Sequence, residues 1–120
     1  MKICITSTGK DLNSNFEQRF GRSSYFIIYD TTAKEFEAVD NGNTSSAHGA
    51  GIGSAQLIIE KKAEVLISGN IGPNAKSVLE SEGIKVLKGT ESTVKDNIVK
   101  FEENALEEIK KAGMPHQGMK

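Results

Sequence analysis

Apolar and polar positions change period several times along this chain, and each change predicts an element. Lys2 to Ser7 (KICITS) is a β-branched apolar run closed by Thr8-Gly9-Lys10-Asp11, a first strand whose two faces, Ile3/Ile5 and Cys4/Thr6, both suit an interior. Residues 9–24 form a polar connection carrying Phe16 and Phe20 at a helical i, i+4 spacing, with Arg19 and Arg22 beside them. The two phenylalanines are expected to anchor that connection to the body. Tyr25 to Asp30 reads as a second strand, Thr31 to Lys34 as a turn, and Glu35 to Asp40 as a third strand with one wet face, Glu35 and Glu37 alternating with Phe36 and Ala38. So short a connection makes strands two and three an antiparallel hairpin.

The period then becomes helical. Ile52, Ala55, Ile58 and Ile59 share one stripe that runs to Lys61-Lys62. Ala63 to Ser68 is a buried fourth strand, Gly69-Asn70-Ile71-Gly72 a turn, and Pro73 opens a second helix with Ala75, Val78 and Leu79 inward. Gly83 ends that helix and Ile84 to Leu87 make a fifth strand. Thr93, with Asp96 three residues on, starts a third helix carrying Val94, Ile98 and Phe101. A further helical stretch is expected over Glu102 to Lys111, acids early and lysines last, as the helix dipole favours, with Ala112 to Lys120 a loose tail.

The order β-β-β-α-β-α-β-α has helical crossovers between strands three, four and five, which requires parallel pairing and helices on both faces of the sheet. The expected fold class is therefore a three-layer α/β/α domain over residues 1–111; with strand four set next to strand one, its five-stranded mixed sheet has the order 3-2-1-4-5 and strand two antiparallel. Strands one, three and four then point the same way. The loops that start at Ser7, Asn41 and Gly69 open at one end of the sheet, where open α/β sheets bind ligands.

The loop from Asn41 to Gln56, NGNTSSAHGAGIGSAQ, stands out there, with four of the twelve glycines and one of the two histidines. Long structured loops inside compact domains are uncommon unless they bind or cover something. A glycine-rich helix start favours anions, but Gly49-Ala50-Gly51-Ile52-Gly53-Ser54 lacks the dinucleotide spacing and no Walker sequence occurs. No G-x-S-x-G elbow is present, and the first and fourth strands carry no paired carboxylates for a two-metal nuclease. Single Cys4 can build neither a disulfide nor a Cys-only metal site. His48, Cys4 and His116 are the histidine and cysteine ligands on offer.

Fifteen basic against sixteen acidic residues give a formal charge of -1, which supplies no field for nucleic acid or anionic lipid. No run matches a signal peptide or membrane span, so a cytoplasmic location is expected.

MKICITS, the Phe20-Gly21-Arg22 segment before Tyr25-Phe26, HGAGIGSAQ, SGNIGPNA, GIKV and TVKDNIVKFEENAL together resemble the dinitrogenase iron-molybdenum cofactor biosynthesis family, in order and across nearly the whole chain. The resemblance implies a ribonuclease H-like fold and a protein that binds or carries iron-sulfur, iron-molybdenum or related clusters without turning over a substrate. Carried over by position, it marks Phe20, Gly21 and Arg22, then Gly49, Gly51 and Gly53, then Gly69, Gly72 and Pro73. Some relatives have histidine-rich loops or tails, whereas this chain has His48 and His116 alone.

The reading that follows is a non-catalytic cluster binder. His48 is the direct ligand, with Cys4 a lesser candidate. Gly49, Gly51 and Gly53 amides, the Arg22 guanidinium and the Asn70 turn neutralise an anionic cluster. A protein acceptor of the cofactor is implied as partner, with the chain a monomer or weak dimer. The alternative is a module for a small anionic metabolite or a protein partner, without metal.

Overall fold

The computed structural model describes residues 1–42 and 50–110. His48 and Gly49, with His116 and the expected tail, lie outside the described residues. In chain order the elements are β1 (Lys2–Ser7), a 3-10 turn (Phe20–Arg22), β2 (Tyr25–Asp30), β3 (Glu35–Asp40), α1 (Ala50–Glu60), β4 (Val65–Ser68), α2 (Pro73–Ser81), β5 (Lys85–Lys88), α3 (Val94–Glu102) and β6 (Glu107–Glu108). They form one sheet of order β3-β2-β1-β4-β5-β6. β1 pairs antiparallel with β2 and parallel with β4, so the expected order 3-2-1-4-5 holds, with β2 reversed.

Because side chains alternate across a pleated strand, β1 serves two cores at once. Cys4 joins Phe26, Ile28 and Leu66 under the Ala55, Ile58, Ala75 and Leu79 side chains of α1 and α2. Ile3 and Ile5 join Ile27, Tyr29, Val65 and Ile67 on the other face under Val94 and Ile98 of α3. Ile3, Cys4, Ile5, Leu66 and Ile67 have no exposed surface.

Each helix ends in the same way. Lys62 (φ 62°), Gly83 (φ 79°) and Asn104 (φ 58°) take left-handed backbone just past α1, α2 and α3. The next residues, Ala63, Ile84 and Ala105, donate their N–H groups back to Ile58, Leu79 and Lys100 carbonyls at 3.5, 3.0 and 2.8 Å. This is the Schellman closure, which satisfies last-turn carbonyls and turns the chain sharply. At the other end of α3, Thr93 accepts the Asp96 N–H at 3.1 Å, the cap its sequence predicts.

Two expectations are corrected. Among the described residues the sheet has six strands, and the stretch expected to continue as a helix to Lys111 instead leaves α3 at Glu102 and adds β6 antiparallel to β5, with Leu87 opposite Glu108 and Lys88 opposite Glu107. Asn104 in left-handed conformation stops the helix, and Leu106 and Ile109 pack on opposite faces of the sheet, which no single helical stripe allows. Charge order along the segment is worth only a few tenths of a kcal/mol to about 1 kcal/mol, too little to offset an unpaired β5 edge. Phe16 and Phe20 do anchor the 9–24 connection, both buried, but not on a helix. Phe16 enters the α3-side core and Phe20 the α1/α2-side core, so the connection is pinned through both layers.

That connection is stitched to the loops after β4 and β5 by backbone bonds. Asn70 N–H reaches the Gln18 carbonyl at 2.7 Å, Phe20 N–H the Asn70 carbonyl at 2.9 Å, and Phe16 N–H the Ser92 carbonyl at 2.8 Å. The approach is close enough that a Cβ on Gly69 would sit 2.4 Å from the Gln18 carbonyl oxygen, whereas one on Gly21 would meet nothing. Gly69→Ala is expected to lower stability in urea denaturation by about 1–3 kcal/mol, the usual cost of overpacking. Gly21→Ala is the control, and equal effects from the two would show that the contact is not limiting.

Candidate functional site

β1, β3, β4 and β5 all run the same way, so their carboxyl ends share one rim. The connection after β1 lies across that rim. Its residues pair with the β4–α2 turn through an Arg19–Asn70 parallel bridge and divide the crevice in two. On the α3 side is a cavity of about 550 Å³ lined by Asn15, Phe16, Glu17, Gln18, Arg19, Asn70, Glu91 and Ser92. On the α1/α2 side is one of about 310 Å³ lined by Phe20, Gly21, Ile52, Gly72, Pro73, Asn74 and Ala75.

The smaller cavity receives the start of α2. Gly72, the residue before that helix, is extended and supplies no side-chain cap, and Pro73 occupies the first turn. The first-turn amides are thus left to solvent or a ligand, the arrangement that favours anions. Space above Gly72 and Gly21 is open. Arg22 follows Gly21 in the same 3-10 turn, is exposed, and makes no side-chain bond among the described residues. Contrast α3, whose first amides are taken: Val94 and Lys95 donate to the Ser14 and Leu12 carbonyls at 2.9 and 2.8 Å.

The base of the glycine-rich loop is fixed beside this cavity by three buried polar residues. Asn41 Nδ2 donates to the Ser23 carbonyl at 2.8 Å, and Ser54 Oγ in α1 donates to Asn41 Oδ1 at 3.1 Å. Ser23 Oγ accepts the Ser7 N–H at 3.0 Å and donates to the Tyr25 carbonyl at 2.7 Å. Asn41, Ser54 and Ser23 are at most 2% exposed. One chain of bonds therefore joins the ends of β1 and β3, the start of β2, and α1. Both ends of the loop are held at one point.

The family model for the dinitrogenase iron-molybdenum cofactor matches residues 1–104. The chain belongs to that family. Among solved structures it is similar to the apo form of the orange protein of Desulfovibrio gigas, at 33% identity and a TM-score of 0.90, covering 94% of this chain and 96% of that one. It is also similar to a NifB-like protein of Thermotoga, at 39% identity and a TM-score of 0.85, covering 95% and 97%. An uncharacterised protein of Methanocaldococcus jannaschii is 33% identical over 100 residues, 81% of this chain and 85% of its own.

Against this family background the residues singled out from sequence fall into three groups. Arg22 is next in the chain to Gly21, which lines the smaller cavity, and Gly53 belongs to the first turns of α1, which contributes Ile52 to the lining. Gly51 enters α1 as backbone, while His48 and Gly49 lie outside the described residues. Asn70 lines the larger cavity, and its N–H is already given to Gln18, so only its side chain faces a ligand.

Cys4 stands apart from the rim in the centre of β1, fully buried, and burial pushes its thiol well above the ordinary cysteine range. Among the described residues no group of three or more His, Cys, Asp or Glu side chains could hold a metal ion. Sequence reasoning passed over Asn41 and Ser54. The available signal was a serine on the buried side of an apolar helical stripe and an asparagine ending an acidic strand.

The Asn41–Ser54 bond is buried, so Ser54→Ala, which removes it, is expected to cost about 0.5–1.5 kcal/mol, read as a lower urea midpoint. Cys4 gives a pH test. Its folded pKa lies above the unfolded value of 9.0, so its contribution is complete below 9.0 and declines as the pH rises further. Wild type should lose stability more steeply than Cys4→Ala above that point, by up to about 1.4 kcal/mol per pH unit. Parallel slopes would show that Cys4 ionises in the folded chain.

Proposed function

We propose that this chain binds or carries an iron-sulfur or iron-molybdenum type cluster, or its precursor, as cargo at the carboxyl rim and does not turn over a substrate. The observation that carries this is the conjunction, in a member of this family, of the uncapped start of α2 at an open cavity of about 310 Å³ with Arg22, which follows the lining residue Gly21 and makes no side-chain bond among the described residues. Sulfide-rich clusters are anionic. Amide donors and a guanidinium suit such a cargo.

The donor set argues for cargo over a resident cofactor. A cluster built into the fold takes several thiolates, and the single cysteine is sealed in the sheet. His48 is the proposed direct ligand, delivered by the loop whose base Asn41 and Ser54 fasten. The amides of Gly49, Gly51 and Gly53 and the Arg22 guanidinium supply the positive field, with Asn70 in the lining of the larger cavity. Cys4 serves the core. Few protein bonds make for easy release, which fits handing the cluster to a protein acceptor. Among the described residues no buried side-chain polar atom lacks a partner, so the fold closes without its cargo.

Anaerobic reconstitution with iron, sulfide and molybdate, followed by gel filtration, tests this reading. A chromophore that co-elutes stoichiometrically is expected, diminished in His48→Ala and weakened in Arg22→Ala but less so in Arg22→Lys. No chromophore, with a melting-temperature rise from phosphate or nucleotide instead, would favour a metabolite-binding module, since a ligand of the native state raises its stability. A chromophore unchanged in His48→Ala would move the ligand elsewhere.

A further inference from the structure

The two sheet edges differ. β6 ends one side with only two residues, Glu107–Glu108, too short to template another strand. β3 ends the other with six, Glu35–Asp40. Its ladder with β2 fixes which backbone groups are spent. Asn41 N–H bonds the Ser24 carbonyl on the same register that sets Phe26 opposite Val39 and Ile28 opposite Glu37. In an antiparallel ladder bonded and non-bonded pairs alternate. Glu35, Glu37 and Val39 therefore bond β2, and the N–H and C=O groups of Phe36, Ala38 and Asp40 point outward.

The same pleat sorts the side chains along this edge. Phe36 lies opposite Tyr29 on the α3 face and is 42% exposed, one of the few large apolar side chains left open. Glu35 and Glu37 lie on the α1/α2 face beside Ile28, around a groove of about 270 Å³ lined by Lys2, Ile28, Asp30, Glu35, Phe36 and Glu37. Three carboxylates there face one lysine. Two of them have engagements, Asp30 with the Thr32 and Ala33 amides and Glu37 with Lys61 at 2.9 Å. Glu35, and Asp40 at the strand's far end, have no side-chain partner among the described residues.

We infer that β3 is a docking edge for an extended segment of another protein in which apolar residues alternate with lysine or arginine. Such a segment adds as a seventh strand. Its backbone completes the bonds of Phe36, Ala38 and Asp40, its apolar residues continue the Tyr29–Phe36 surface, and its cations reach the Glu35–Glu37 side. A second copy of β3 is the poorer occupant, because its own Glu35, Glu37 and Asp40 bring like charges together with no cation between them on either strand. This surface is at the sheet's lateral edge and does not depend on the cargo reading of the rim.

The probe is a capped peptide of alternating valine and lysine, added to the full chain and followed by amide NMR and hydrogen exchange, with a valine–glutamate peptide beside it. Protection of the Phe36, Ala38 and Asp40 amides by the lysine peptide alone is expected. Ala38→Pro removes an outward N–H without breaking the β2 ladder, and should weaken binding by about tenfold or more. Glu35→Lys should weaken it and Phe36→Ala should weaken it, with melting temperatures near wild type. Protection elsewhere on the chain, equal binding of the glutamate peptide, undiminished binding by a folded Ala38→Pro, or β3 amides already protected in a chain that sediments as a dimer would each overturn the proposal.

Discussion

A strand that is buried on both faces must be covered on both, and β1 sets that requirement for the whole chain. With Ile3, Cys4 and Ile5 sealed from solvent, a helix pair is needed on one side and a further helix on the other. The crossovers that supply those helices make β4 and β5 run parallel to β1. The loops after β1, β3, β4 and β5 are then delivered to one rim. The location of the candidate site is thus a result of where apolar residues sit in KICITS, before any residue of the site is considered.

The rim itself is shaped by backbone more than by side chains. The connection after β1 carries one phenylalanine into each core and, held at both ends, crosses between the loops after β4 and β5. It leaves a polar cavity on one side and, on the other, a cavity with an uncapped helix start. Asn41, Ser23 and Ser54 then fasten the glycine-rich loop at its base. Polar groups buried in this way raise local rigidity only when each finds its partner, and among the described residues they do.

Much of this was legible in the sequence because period and punctuation reported the same elements. β-branched runs gave the strands, Gly83 and Thr93 gave helix ends, and crossover lengths gave the parallel pairing, with the order following once strand four was set beside strand one. The sixth strand was hidden since Glu107 and Glu108 contribute no apolar alternation, and their pairing is a property of the β5 edge and not of their own side chains. Phe16 and Phe20 showed a helical spacing that arose by coincidence from two separate anchoring events. At the site, glycine and histidine content pointed to the loop, but the Asn41–Ser54 bond joins residues that only the fold brings together.

The three identical helix endings have a consequence for how such a domain can vary. Lys62, Gly83 and Asn104 all sit at the pole opposite the rim, each turning the chain back into the sheet through a closed hydrogen-bonded corner. That pole is closed by backbone hydrogen bonds at each helix end. Variation at the rim can therefore lengthen, shorten or recharge a loop while the register of every strand beneath it is set from the far end, so descendants of one scaffold can exchange ligands without relearning how to fold.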